Sequence, residues 1–284
     1  MTDKKANIIG KTIDAYRLAL RNEEDSIERA RILEKIADSY YQLASANHEN
    51  YSTNLLNAID SYSQVLQIRD LDKFPEEYAR AQNNLGAAYQ TLARVKDKAD
   101  NCKKAIDAYL KALQVRTIDQ FPMDYAMTQN NLGNAYGILA EVEDKAQNCK
   151  KAIDAFSKAL QVSTLDQFPM QYANTKTNLG DAYRTLAEVE QKIENCRNAI
   201  EACGEALKIR APDKFPMDYA ETQTVLGSAY KTLAEAENKS ENCRLAKRAF
   251  ERAIEIFQKL NLPEGRKSVS DKLSELNSIC NKES

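Results

Sequence analysis

Phe-Pro recurs at Phe74-Pro75, Phe121-Pro122, Phe168-Pro169 and Phe215-Pro216, each 47 residues after the last, and Leu262-Pro263 falls one further period on. A fixed period of this size constrains the chain more tightly than its composition does. It calls for stacked supersecondary units, each burying its apolar face on its neighbours, rather than for one central core. Scarce Gly (8), absent Trp and plentiful Tyr (14) suit helices better than a hairpin-rich sheet. No β-period appears.

Within a unit the signals agree. Pro122 follows Phe121 at a helix start, where a missing N–H costs nothing, and Asp119, with Asp72, Asp166 and Asp213, lies just upstream in a turn. Tyr125, Leu132, Tyr136 and Leu139 mark one buried face of a first helix. Gly133 and its equivalents Gly86, Gly180 and Gly227 sit mid-helix, where close helix approach would offset a cost of ~1 kcal/mol against Ala. DKAQN breaks the pattern, and Ala152, Ile153, Ala155, Phe156, Ala159 and Leu160 give the stripe of a second helix.

Taken in order, the chain reads as one solenoid over 1–284. Residues 4–21 carry TIDAYRLAL, which matches AIDAYLKAL at Ala105–Leu113, and read as an orphan second helix. Units follow at 26–73, 74–120, 121–167, 168–214 and 215–261, the first being the most divergent. A polar last helix over 262–284 reads as a cap, so twelve helices are expected.

Several function classes are disfavoured. The charge is balanced, at −2, which gives no drive toward nucleic acid or an anionic membrane. No apolar run approaches the ~20 residues needed to span a bilayer. The opening MTDKKANIIGKTIDAY has no apolar signal region, so a cytoplasmic location is the default expectation. Cys102, Cys149, Cys196 and Cys243 form one column of Asn-Cys pairs whose equivalent in the preceding unit is Leu55, so they read as small buried hydrophobes. His48 stands alone, Cys-x-x-Cys is absent, and no phosphate loop or nucleophile motif occurs. No enzyme, cofactor or metal is expected.

NLGNAYGILA followed by AIDAFSKAL resembles the tetratricopeptide repeat, on Leu132-Gly133, Tyr136, Ala152, Phe156 and Ala159. The long unit with Thr-Gln-Asn-Asn-Leu-Gly is similar to the kinesin light chain type. Similar long units accompany protease or NTPase modules in prokaryotic multidomain proteins, and no such module is present here. The resemblance implies an all-α, right-handed superhelix of antiparallel helix pairs whose first helices line a concave groove. Around the Leu-Gly it places four columns in that groove: Arg80, Met127, Asn174 and Glu221; Asn83, Asn130, Thr177 and Thr224; Ala87, Asn134, Asp181 and Ser228, with Asp38; and Gln90, Gly137, Arg184 and Lys231, with Tyr41. Asn83, Asn84, Asn130, Asn131 and Asn178 match the asparagines that hold a peptide backbone in the kinesin light chain type; the alternative is that Asn84, Asn131 and Asn178 bridge helices within the stack. The Lys-and-Asn pattern that captures a C-terminal carboxylate in other tetratricopeptide proteins is missing.

The expectation is therefore a non-catalytic scaffold binding a peptide segment of a protein partner, with a regulatory or sensor subunit for a separately encoded enzyme as the alternative. Self-association by end-to-end stacking is possible but disfavoured by the polar last helix. Two irregularities stand out. Cys203 interrupts the aromatic column Tyr62, Tyr109, Phe156, Phe250, which marks drift, a soft joint or a small pocket. First helices end in acids and second helices begin with bases, against the helix macrodipole, so acid and base are expected to compensate across the turn.

Overall fold

A computed structural model describes residues 2–47 and 49–281; His48, expected in a turn, lies outside them. The described residues form twelve helices and no strand: α1 (Thr2–Asn22), α2 (Ser26–Ala46), α3 (Tyr51–Ile68), α4 (Pro75–Ala93), α5 (Lys98–Ala112), α6 (Pro122–Ala140), α7 (Lys145–Leu160), α8 (Pro169–Leu186), α9 (Lys192–Leu207), α10 (Pro216–Ala234), α11 (Lys239–Lys259) and α12 (Pro263–Cys280). They fall into two compact units, one ending at Glu143 and one beginning at Asp144. In each unit consecutive helices pack on one another.

The repeated residues explain the helix boundaries. Pro75, Pro122, Pro169 and Pro216 open first helices, each preceded by a Phe N-cap. The Phe carbonyl takes the first intrahelical bond, as from Tyr78 and Tyr125 N–H at 2.8 Å. Between first and second helix the chain turns through a single left-handed residue, Asp97, Asp144, Gln191 or Asn238, with φ of 44°, 38°, 43° and 45°. The Asn of three of the Asn-Cys pairs then closes that turn. Asn101 Nδ2 donates to the Lys96 carbonyl, Asn195 to Glu190 and Asn242 to Glu237, each at 2.8 Å.

The first unit is centred on Ile36, Tyr40, Leu55, Ile59, Tyr62, Leu85 and Leu92, with Ile9 and Ile13 of α1 packed against them. The second unit closes around Phe250, Ala253, Ile256, Phe257, Val269 and Leu276. The mid-helix glycines lie under aromatic rings. A Cβ on Gly86 would stand 2.7 Å from the Tyr109 ring, and one on Gly227 would stand 2.7 Å from Phe250. At Gly180 the nearest atom is Cys203 Sγ, at 2.8 Å. That sulfur is one bond beyond its own Cβ, whereas the ring atoms are two or three bonds beyond theirs. So α8 and α9 close up to fill the place of the lost ring, and Cys203 is fully buried.

Cys243 departs from its column. Cys102, Cys149 and Cys196 are buried free thiols, whereas Cys243 is bridged to Cys280. The reason lies in the columns. Cys196 of α9 packs with Leu233 of α10; one period on, the same two positions hold Cys243 and Cys280. The cystine takes the place of an apolar contact and ties α12 to α11.

Candidate functional site

Within each unit the first helices approach one another more closely than the second helices do. α4 touches α6, α10 touches both α8 and α12, and no pair of second helices comes equally close. The first helices therefore make the inner layer of each unit, and its polar face is built from the columns around the Leu-Gly.

In the first unit Arg80 is exposed but engaged: its Nε and Nη2 donate to Glu34 at 2.7 and 3.0 Å. Glu34 also takes Arg69 Nη1 at 3.3 Å. Asn83 is buried, and its Oδ1 accepts from Thr128 Oγ1 at 3.3 Å and Asn131 Nδ2 at 3.4 Å, while its Nδ2 donates to Asn84 Oδ1 at 3.4 Å. Asn83, Asn84 and Asn131 are thus brought together, and they join α4 to α6. Gln90 accepts from Tyr109 OH at 2.9 Å, and Tyr41 OH bonds Thr91 Oγ1 at 2.9 Å. Asp38 accepts from Tyr62 OH; burial raises the carboxyl of Asp38 and that bond opposes the rise. Ala87, Asn130, Asn134 and Gly137 are half-buried, and Met127 is exposed at 49%.

In the second unit Asn174 and Asp181 are exposed, Asn178, Arg184, Thr224 and Lys231 are half-buried, and Thr177 and Ser228 are buried. Arg184 donates to Asp181 and Glu188, both at 2.8 Å. Lys231 Nζ reaches Glu275 at 2.7 Å. Thr177 and Thr222 hydroxyls meet at 3.1 Å, and Arg210 donates to them at 2.8 and 2.7 Å and also to Asn174. Thr224 and Ser228 donate back to their own helix, to the carbonyls of Ala220 and Thr224. The groove cations named from the sequence are therefore all paired with acids of the same unit.

A second column, unread in the sequence, underlies this face. Arg69, Arg116 and Arg210 recur at the 47-residue spacing, interrupted by Ser163, and all four side chains are buried. Arg116 donates to Thr128 at 2.9 Å and faces Asp124 at 3.3 Å. Burial lowers both the Arg116 and the Arg210 guanidinium, while Asp124 and Asp218 oppose that. The spacing alone could have found them. A small cavity of about 150 Å³ opens beside Arg116, lined by Glu76, Arg80, Phe121 and Asp124.

The charged edge is organised differently from the expectation. Lys98 pairs with Glu141, Lys145 with Glu188 and Lys192 with Glu235, each 43 residues apart and at 2.7, 2.8 and 3.0 Å. Lys103 to Glu143 and Arg197 to Glu237 repeat at 40 residues, at 2.9 and 3.0 Å. The base at the start of one second helix reaches the acid at the end of the following first helix, not the acid across its own turn. Among the described residues no group of three His, Cys, Asp or Glu side chains could hold a metal, and no helix is long and apolar enough to cross a membrane. Burial pushes the Cys102, Cys149 and Cys196 thiols up to about 11 and Cys203 to about 12, which leaves them protonated and unreactive near neutrality.

No protein-family model matches the chain, and no curated protein matches it in sequence. Solved structures do match it in fold. BtubC (BKLC) from P. vanneervenii is 16% identical, with 92% of each chain covered and a TM-score of 0.56. The C-terminal part of a TPR repeat-containing protein from Cytophaga hutchinsonii is 14% identical over 98% of this chain and 86% of that one, with a TM-score of 0.54. The apo form of RapI is 17% identical over 97% of this chain and 93% of that one, also at 0.54. At these identities the likeness is one of fold: the chain is an all-helical, tetratricopeptide-like repeat protein.

Proposed function

We propose that the chain is a non-catalytic interaction module that holds a segment of a protein partner on the inner face of its first helices. One observation carries the reading. Arg80, Arg184 and Lys231 are already neutralised by Glu34, by Asp181 with Glu188, and by Glu275. What the inner face of each unit offers a ligand is therefore hydrogen bonding and apolar contact rather than unpaired positive charge. Met127, an adaptable apolar side chain, stands exposed one turn from Asn130 and Asn131 and two turns from Asn134. Amides donate and accept at once, so the pair of chemistries suits an extended backbone with an apolar anchor better than an acidic tail.

The test separates binding from folding. Partners captured from the source cell by wild type are compared with those captured by Met127→Glu combined with Asn134→Ala, both at accessible positions. Loss of a specific protein with unchanged thermal stability supports the inner face. Retention of every captured protein moves the interface elsewhere on the molecule. Asn83→Ala serves as the contrasting variant: it breaks the bonds between α4 and α6 and should lower the melting temperature whether or not a partner is held.

A further inference from the structure

Among the described residues, α1 packs on α2 and no other helix covers its remaining face. Its TIDAYRLAL aligns with AIDAYLKAL of α5, which packs on α4 and buries Ala105, Ala108 and Ala112 completely or nearly so. The equivalents in α1, Thr12, Ala15 and Ala19, are exposed. α1 rests on α2 through Ile9 and Ile13. The far side carries Ile8 at 58% and Leu18 at 61% exposure, two of the barest large apolar side chains in the protein. Ile8, Ala15 and Ala19 recur at seven and four residues, so they line one stripe of the helix. This is the face on which a tetratricopeptide-like unit seats an antiparallel helix.

Charge selects the occupant. Lys4, Lys5 and Lys11 flank the first half of the stripe, and Glu23 and Glu24 follow its last turn. Arg17 leans the other way, over the Tyr40 ring at 5.5 Å. A copy of the same helix laid antiparallel brings Glu23 and Glu24 beside Lys4 and Lys5, and sets Ile8 against Ala19. A parallel copy would set Lys against Lys. The other end of the chain does not fit: α12 presents exposed Ser274 and Asn277 where α10 has Gly227 and Tyr230. We propose that α1 is a homodimer interface, with α1 of one copy antiparallel on α1 of a second copy about a two-fold axis between Thr12 and Ala15. Such an isologous contact closes on itself and does not propagate.

Sedimentation of the full chain over a concentration series tests this. The expected mass approaches twice 32.0 kDa at high concentration and falls to the monomer on dilution. Ile8→Glu with Ala15→Glu should weaken association by about 100-fold or more, since charge then enters the buried centre of the contact, with helicity and melting temperature unchanged. Ser274→Glu with Asn277→Glu, on α12, should leave association as it was. Orientation is read by charge reversal. Lys4→Glu with Lys5→Glu should weaken self-association, and mixing that variant with Glu23→Lys, Glu24→Lys should restore a dimer of one copy of each. A chain that stays monomeric at every concentration overturns the proposal. So does a dimer indifferent to the α1 substitutions, or reversed charges that fail to rescue one another.

Discussion

At the scale of single residues, the repeat is a set of close contacts whose tolerances differ. Gly86 lies so near the Tyr109 ring that Gly86→Ala must displace either that buried ring or α4 itself. Helix propensity would favour Ala by ~1 kcal/mol, but overpacking costs about 1–3 kcal/mol, so a fall in melting temperature is expected. At Gln191 the reverse holds. Its φ of 43° is one that Asp or Asn adopts at less cost than Gln, and the equivalent turns use Asp97, Asp144 and Asn238. Gln191→Asn should raise stability by roughly 0.5–1 kcal/mol, visible as a higher denaturation midpoint. Cys203→Phe should lower the melting temperature, because α8 and α9 have already closed on the smaller side chain. The buried thiols impose a pH dependence. Their pKa is raised in the folded state, so their contribution is fully present below the ordinary thiol value of 9.0. It is lost as pH rises from there through about 11. Thermal melts from pH 8 to 11 should show that decline, and replacing Cys102, Cys149 and Cys196 by Ala should flatten it.

At the scale of helices, the legible features were those set by local chemistry. Phe-Pro marks where each first helix begins because Pro and the Phe carbonyl together define the first turn, and this could be read without coordinates. The all-helical pairing and the number of helices followed from the same period. Features that depend on which column meets which were not legible. The sequence places Asn83 on the ligand-facing side, yet it is buried between α4 and α6, where its Oδ1 accepts from Thr128 and Asn131. Acid and base are placed by sequence on either side of one turn, yet Lys98, Lys145 and Lys192 each reach the acid 43 residues on, at the end of the following first helix. The bridge between Cys243 and Cys280 needed the knowledge that the Cys column packs on the Leu column of the next first helix. That knowledge now predicts a second bridge: in Leu233→Cys, a disulfide-exchange buffer at alkaline pH, where the Cys196 thiolate forms, should close a bridge to Cys196, detectable as a loss in mass of two hydrogens.

At the scale of the whole molecule, each ion pair along the edge is exposed and worth about 0–1 kcal/mol. A double-mutant cycle on Lys145 and Glu188 should give a coupling in that range that shrinks with added salt. The ladder therefore fixes spacing more than it supplies stability. Repeat proteins lose their ends first, since a terminal element has a neighbour on one side only. Here α1 and α12 are fastened by different means. α12, whose fully buried side chains are Val269 and Leu276, is riveted to α11 by the cystine, whereas no covalent tie holds α1. Amide hydrogen exchange should accordingly run as a zipper opened from the amino end in oxidising buffer. A dithiol reductant should let α12 exchange nearly as fast as α1, so that the direction in which the protein comes apart is set by the redox state of one bond.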